Sequence, residues 1–521
     1  MKNSSKANNN SRFGKTKRNF LWQLVYQIIV LVLGLILPRI VISVYGSEVN
    51  GLTSTIKRVI TLVSLAQSGI STAVTFSLFK PVYEHDNETI ARILHNVRIT
   101  FRRIGAITII CGLIASAALS FVESGYIPQI YIFIACFLMC SHTACVLCFI
   151  SSYNVFFTAT QDKYIISIGL LIAEGVTYLL EMVVALLQLH YVLLYACCLV
   201  GFIVQFIFLS KQFDKQYKEF AIDHKIQYEK KGIPVKGIGF ATANEIAHSV
   251  VAASQTVIIS AVCGFAPASV FGVYSMVVSS LSLISRVFLT SFSPSYGSVF
   301  AEGNIEKTNR IFGIAQFAFM SISTLLFTAA MYLYLPFVKV YTSGVNDINY
   351  VNPLLSIEFV IYGLFYAFRI PYNVTVSVSG KFKKSGIQTS ITAIVCIFLS
   401  LFLAHINYTY VLLASILFYM TNTFYQHFML RKEIPGFNNT AFWNHLIVSA
   451  LSVILMYLIY QLTNTYFTVT SFSSWILLAI IVVMVSFGIV MLFILIFDRK
   501  QAKQTYMYFK NIYRRKYKSG V

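Results

Sequence analysis

Apolar residues along this chain come in runs of about twenty or more separated by short polar stretches, and about fourteen of the runs are long enough to cross a bilayer. They fall near 20–44, 52–79, 97–121, 129–157, 164–187, 191–210, 239–262, 268–296, 309–333, 351–378, 386–404, 408–430, 441–462 and 474–497. In lipid only a helix or a closed barrel satisfies the backbone, and runs of this length are helical, so the pattern predicts an all-α polytopic membrane protein. Two of the helices are striped. Steps of three or four residues through the tenth run meet Glu358, Tyr362, Tyr366, Arg369, Asn373 and Ser377, within an arc of about 100°. The eighth run repeats this with Ser275, Ser279, Ser282, Arg286, Thr290 and Ser293, within about 80°.

A full charge near the middle of a spanning helix costs about 2.5–3.5 kcal/mol on insertion scales, so Arg286 and Arg369 should face a cavity or a partner. In the plainer account the hydroxyls bond back to their own helix and a glutamate holds each arginine. Two stripes, each centred on an arginine at similar depth, favour a transport path lined by Ser279, Ser282, Thr290, Tyr362, Tyr366 and Asn373, with Gln255 of the seventh helix added. Carboxylates also enter the apolar runs. Glu174, Tyr178 and Glu181 share a face of the fifth helix, Glu245 and His248 share a side of the seventh, and Glu358 opens the tenth-helix stripe. Both roles stay open for these acids: neutralising an arginine, or relaying a proton or sodium ion.

Composition agrees with the pattern, at 57% hydrophobic and 11% charged residues with a mean hydropathy of +0.72. The net charge of +21 changes meaning once the basic residues are placed. All but Arg39, Lys57, Arg58, Arg286, Lys339 and Arg369 fall on one side of a fourteen-helix topology, which the positive-inside rule makes cytoplasmic, together with both termini. The basic ends therefore serve as orientation signals beside anionic lipid, and no nucleic-acid partner is called for. The first run is too long for a signal peptide and is expected to stay as an anchor. Lys57 is expected to snorkel to the outer surface, whereas for Arg39 and Arg58 snorkelling and a facing cavity are equally supported. The cysteines, among them the apolar Cys145-x-x-Cys148, read as small packed thiols. No metal-ligand spacing, phosphate-binding lysine loop or nucleophile elbow is present in the sequence, so neither metal nor cofactor is implied.

Several runs resemble the bacterial polysaccharide flippases of the multidrug/oligosaccharidyl-lipid/polysaccharide exporter superfamily. They are Leu37-Pro38-Arg39, Gly46-Ser47-Glu48-Val49-Asn50-Gly51-Leu52, Gly69-Ile70-Ser71-Thr72-Ala73 and Leu78-Phe79-Lys80-Pro81-Val82-Tyr83-Glu84-His85-Asp86. Later come Phe271-Gly272-Val273-Tyr274-Ser275, Arg369-Ile370-Pro371-Tyr372 and Ser379-Gly380-Lys381-Phe382. The resemblance covers residues 19–430. It implies two pseudo-symmetric six-helix lobes, 20–210 and 239–430, facing a central cavity and joined by a cytoplasmic linker at 211–238. Two added helices at 441–497 follow, with basic cytoplasmic tails at 1–19 and 498–521. It further implies a transporter of the bacterial cytoplasmic membrane that carries undecaprenyl-diphosphate-linked sugar units to the outer leaflet. Such a chain is expected to be a monomer working beside polysaccharide polymerase machinery. Relatives often have an acid where this chain has Gln255, which leaves ion coupling there open.

Three function classes follow. For a lipid-linked oligosaccharide flippase, Arg39, Arg58, Arg286 and Arg369 form the diphosphate-binding set, because arginine offers paired donors to phosphate oxygens. Arg286 and Arg369 lie roughly 14 Å from the inner ends of their helices and Arg39 and Arg58 about 8–9 Å from the outer ends, which suits a ladder for the diphosphate. A multidrug exporter would present acidic and aromatic walls to cationic drugs instead. A membrane polysaccharide polymerase or ligase needs a large outer loop, and the longest here, 334–350, is short. Topology is testable at once: single cysteines at Lys215 or Lys383 in a cysteine-free chain should resist an impermeant thiol reagent on intact cells. One at Asn346 should label, and ready labelling of Lys215 would reverse the orientation.

Overall fold

The computed structural model describes residues 2–84, 86–217, 239–434, 440–467 and 469–518; within these, the side chains of 2–14, 16–17, 66–69, 72–73, 76, 216–217, 239–242, 284–291, 294–295, 301, 433, 440 and 512–518 lie outside the description. Fifteen α-helices follow in order: α1 (Lys2–Glu84), α2 (Asn87–Ser120), α3 (Gln129–Cys145), α4 (Ser151–Ala159), α5 (Lys163–Leu186), α6 (Val192–Tyr217), α7 (Gly239–Cys263), α8 (Phe265–Ala301), α9 (Ile305–Tyr341), α10 (Pro353–Ser379), α11 (Phe382–Ile406), α12 (Val411–Glu433), α13 (Thr440–Thr463), α14 (Phe472–Phe497) and α15 (Arg499–Lys518). A π-helical turn, Val146–Ile150, joins α3 and α4 into one span. The breaks are set by ordinary capping chemistry. Asp86, Asn304 and Asn352 each accept a hydrogen bond from the backbone N–H three residues on, Ser471 and Ser474 form a capping box, and Gly380 ends α10 with φ of 69°. The two hydrogen bonds from Thr89, side chain first, hold the Asp86 carboxyl below the usual carboxylate range.

Twelve helices among the described residues are long and apolar enough to cross a membrane, so the chain is a multi-pass membrane protein. The difference from fourteen has two causes. Helix α1 contains two of the expected spans, turned at Gly46, whose φ of 82° and ψ of 177° suit glycine and strain any other residue. Helix α12 is less apolar because it carries Asn422, Gln426 and His427, all fully buried against neighbouring helices. Thr389 donates to Asn422 at 2.9 Å, Gln426 donates to Ser385 at 3.2 Å, and His427 Nδ1 lies 3.1 Å from the Tyr372 hydroxyl. Interhelical polar contacts of this kind fasten helices where lipid offers no hydrophobic drive to associate. Helix α14 is the opposite case: its best window has a mean hydropathy of 3.2, and Leu477, Ile480, Ile481 and Met484 point outward as a lipid-facing surface.

The helices cluster into two units, one of Met1–Thr242 with Ile259–Ser269, the other of Ala243–Ile258 with Val270–Val521. The expected linker falls mostly on residues 218–238, outside those described. In the first unit α1 packs on α5, α5 on α6 and α2 on α3, around a core that includes Leu78, Leu94, Phe101, Phe156, Phe157 and Phe213. The turn from α7 to α8 belongs to this unit for a visible reason. The Asn50 side-chain amide donates to the Ser269 hydroxyl at 2.6 Å, and Gly51 lets the Phe265 backbone approach so closely that an added Cβ would sit 1.8 Å from its carbonyl oxygen. In the second unit α10 packs on α9 and α12, α11 on α12, and α13 and α14 on α9. Both tails depart from simple basic extensions. The first runs unbroken into α1, where Lys15 and Arg18 reach Asp162 at 2.9 and 3.6 Å, and the last forms α15.

Gly51→Ala should force α1 away from the α7–α8 turn, an overpacking cost of about 1–3 kcal/mol. Gly488→Ala on α14, where nothing lies within 4 Å of the added Cβ, is the control. Scanning fluorimetry of the purified proteins should show a lowered melting temperature for the first and none for the second.

Candidate functional site

Two polar sites lie inside the helices, one in each unit. In the first unit a cavity of about 340 Å³ is lined by Lys57, His142, Glu174, Tyr178, Glu181 and Gln205 among others. Helix α5 supplies Glu174, Tyr178 and Glu181 at steps of four and three, so all of them project to one side as their spacing predicts. Helix α1 supplies Lys57 from its second half, and Tyr26 from its first, whose hydroxyl donates to Glu174 at 2.9 Å. Lys57 lines the same cavity and its side chain is exposed. The π-helical turn contributes Val146 to the same wall, a distortion that often marks a working site.

The second site centres on Arg369 of α10. This guanidinium is buried, 7% exposed, and its Nε and Nη1 atoms find no hydrogen-bond acceptor among the described residues. Its company is aromatic. Cζ lies 5.5 Å from the Tyr366 ring centre and 5.4 Å from that of Tyr419, with Tyr362 packed edge-on to Tyr419 at 5.3 Å. Helix α12 brings Tyr419, which also stacks on His248 of α7 at 5.8 Å, and neither nitrogen of that histidine has a hydrogen-bond partner. Two cation–π contacts offset about 1–2 kcal/mol each at most, while each unsatisfied buried donor costs about 1–3 kcal/mol.

Placement of the remaining candidates divides them. Glu358 does not neutralise Arg369: they are eleven residues apart on one helix, about 16 Å along its axis, and both Glu358 oxygens are buried without a hydrogen-bond partner. Glu245 and His248 do not share surroundings either, since Glu245 is exposed and accepts from Asn373 at 3.4 Å while His248 is enclosed. Gln255 is corrected from cavity wall to packed interior; its amide donates toward Val251 and accepts from Ser400 at 3.2 Å. Ser279 and Ser282 bond back to the carbonyls of Ser275 and Val278, the plainer account of that stripe, although Ser279 remains exposed. Arg39 and Arg58 are half-buried in the first unit. The side chains of Arg286 and Thr290 lie outside the described residues. Tyr26, Lys57, His142, Gln205 and Tyr419 are the site residues that the sequence did not single out. Tyr419 alone left a trace, as a tyrosine beside the polar run of α12.

Similarity to solved structures bears on the fold. The chain superposes on a multidrug resistance MATE family transporter of the MOP superfamily in an inward-facing conformation with a TM-score of 0.67 at 13% identity, covering 80% of this chain and 98% of that one. It superposes on lipid II flippase MurJ in an inward closed conformation with a TM-score of 0.67 at 15% identity, covering 92% of this chain and 99% of that one. The fold is that of the MOP-superfamily transporters. A MATE structure in a bent conformation gives 0.56 at 14% identity. These MOP neighbours are transporters and flippases rather than enzymes. No family model and no curated protein sequence matches the chain.

The acidic cavity generates its own test. Glu174→Gln or Glu181→Gln should leave protein abundance near normal and shift the pH or sodium dependence of transport in proteoliposomes. Loss of folded protein without any new ion dependence would make these acids structural partners of Lys57.

Proposed function

We propose that this protein is a lipid-linked oligosaccharide flippase that moves undecaprenyl-diphosphate-linked sugar repeat units from the inner to the outer leaflet of the bacterial cytoplasmic membrane, for surface polysaccharide assembly. The observation that carries this reading is the buried Arg369 guanidinium, two of whose nitrogens lack an acceptor among the described residues. A cation held in this way is matched to an anion that arrives and leaves, and a diphosphate presents several oxygens to its paired donors. Arg39, Arg58 and Arg286 complete the proposed diphosphate set, and Tyr362, Tyr366, Asn373, Ser279, Ser282 and Thr290 the polar surroundings of the sugar. Similarity to a lipid II flippase over 92% of the chain supports a lipid-linked substrate. Glu174 and Glu181, with Lys57 between them electrostatically, are the proposed proton or sodium site; Glu245 and Glu358 are secondary candidates. A multidrug exporter is the second reading, favoured by the similarity to MATE transporters and by the acidic cavity in the first unit. A buried arginine at this site suits cationic drugs poorly.

Replacing Arg369 with Ala removes a charge-assisted contact worth about 1.5–3 kcal/mol, roughly ten- to a hundredfold in affinity. Flipping of a lipid-diphosphate sugar by Arg369→Ala or Arg286→Ala should nearly stop with protein abundance retained. Arg→Lys keeps the charge without the planar fork and should restore part of the rate, and Arg→Gln little. Well-folded alanine variants that flip at normal rates would end the diphosphate reading.

A further inference from the structure

Helix α15 begins one residue after α14 ends, and the junction is tied down. Asp498 is buried, 3.0 Å from His445 Nδ1 on α13, and the Asn444 amide donates to the Phe497 carbonyl at 2.8 Å. One face of α15 is then used up by packing: Gln501 lies over Gly313 of α9, Ala502 packs against Val448, Val490 and Ile494, and Thr505 is buried. Gly313 is about 13 Å from the Asn304 cap of α9, so α15 is held near the end of a helix of 37 residues, longer than a bilayer is thick. Its free face is mixed in an informative way. Arg499, Lys500, Lys503 and Lys510 are exposed and no acid accompanies them along the helix, while Tyr506, Met507 and Phe509 are exposed at 65%, 46% and 55%.

We propose that α15 docks on the anionic phospholipid headgroups of the leaflet at which α14 ends. Charge complementarity selects the occupant: four exposed lysines and arginines meet lipid phosphates, each cation near such a surface adding to attraction. Continuity with α14 fixes the depth, since a helix leaving the bilayer at Phe497 and held against the flank of the bundle lies at headgroup level. Tyr506 and Met507 enter the boundary between headgroups and acyl chains, Phe509 flanks it on the side of the packed face, and the lysine stems lie along it with their charges outward. This docking is independent of what the transporter carries.

Hydroxyl-radical footprinting of the full-length chain tests it. The protein is placed in nanodiscs of neutral phosphatidylcholine or of the same lipid with one third phosphatidylglycerol, with exposed Tyr126 as internal reference. Oxidation of Tyr506, Met507 and Phe509 should fall at least about threefold in the anionic discs and return in a Lys500→Gln/Lys503→Gln/Lys510→Gln variant or at high salt. Equal oxidation in both discs, or protection that survives loss of the three charges, overturns the proposal. Protection that appears only when a soluble cell fraction is added also overturns it, in favour of a protein partner. Should the variant not be monodisperse, the salt dependence of the native chain gives the same decision.

Discussion

Inside a bilayer a polar side chain has no water to turn to, and in α7, α10, α11 and α12 that constraint separates scaffold from site. Gln255 is met by Ser400, Asn422 by Thr389, Gln426 by Ser385, and Tyr372 by both Gln316 and His427. These contacts hold helices together. Arg369, Glu358 and His248, buried in the same unit, keep donors or acceptors that no described residue meets, as do Gln426 Oε1 and the Tyr419 hydroxyl.

The two sites handle opposite charge by different means. In the first unit two carboxylates and a lysine share a cavity, so protonation or ion binding changes a balance already present among the side chains. In the second, a lone guanidinium rests on tyrosine faces, which soften its charge without cancelling it. Each arrangement is complete within its own unit, and each is built by helices whose other faces carry ordinary packing.

Much of this was legible beforehand, because hydropathy and helical spacing act within single segments. The run of spans, the shared face of Glu174, Tyr178 and Glu181, and the stripe from Tyr362 to Asn373 all follow from positions along one helix. What was hidden depends on contacts between segments. Gln255 reads as a cavity residue until α11 is placed beside α7. Tyr419 becomes part of a site only because α12 lies against α10. A pairing of Arg369 with Glu358 is ruled out by plain distance along one helix, arithmetic available without any fold.

Helix α12 also bears on how such a chain is made. Three of its polar side chains are buried against α10 and α11, so a lone α12 offered to lipid would carry amides and an imidazole into hydrocarbon with nothing to meet them. Its partners are the helices synthesised just before it. Membrane entry of α12 alone is therefore costlier than entry beside α11, where Asn422 meets Thr389 and Gln426 meets Ser385.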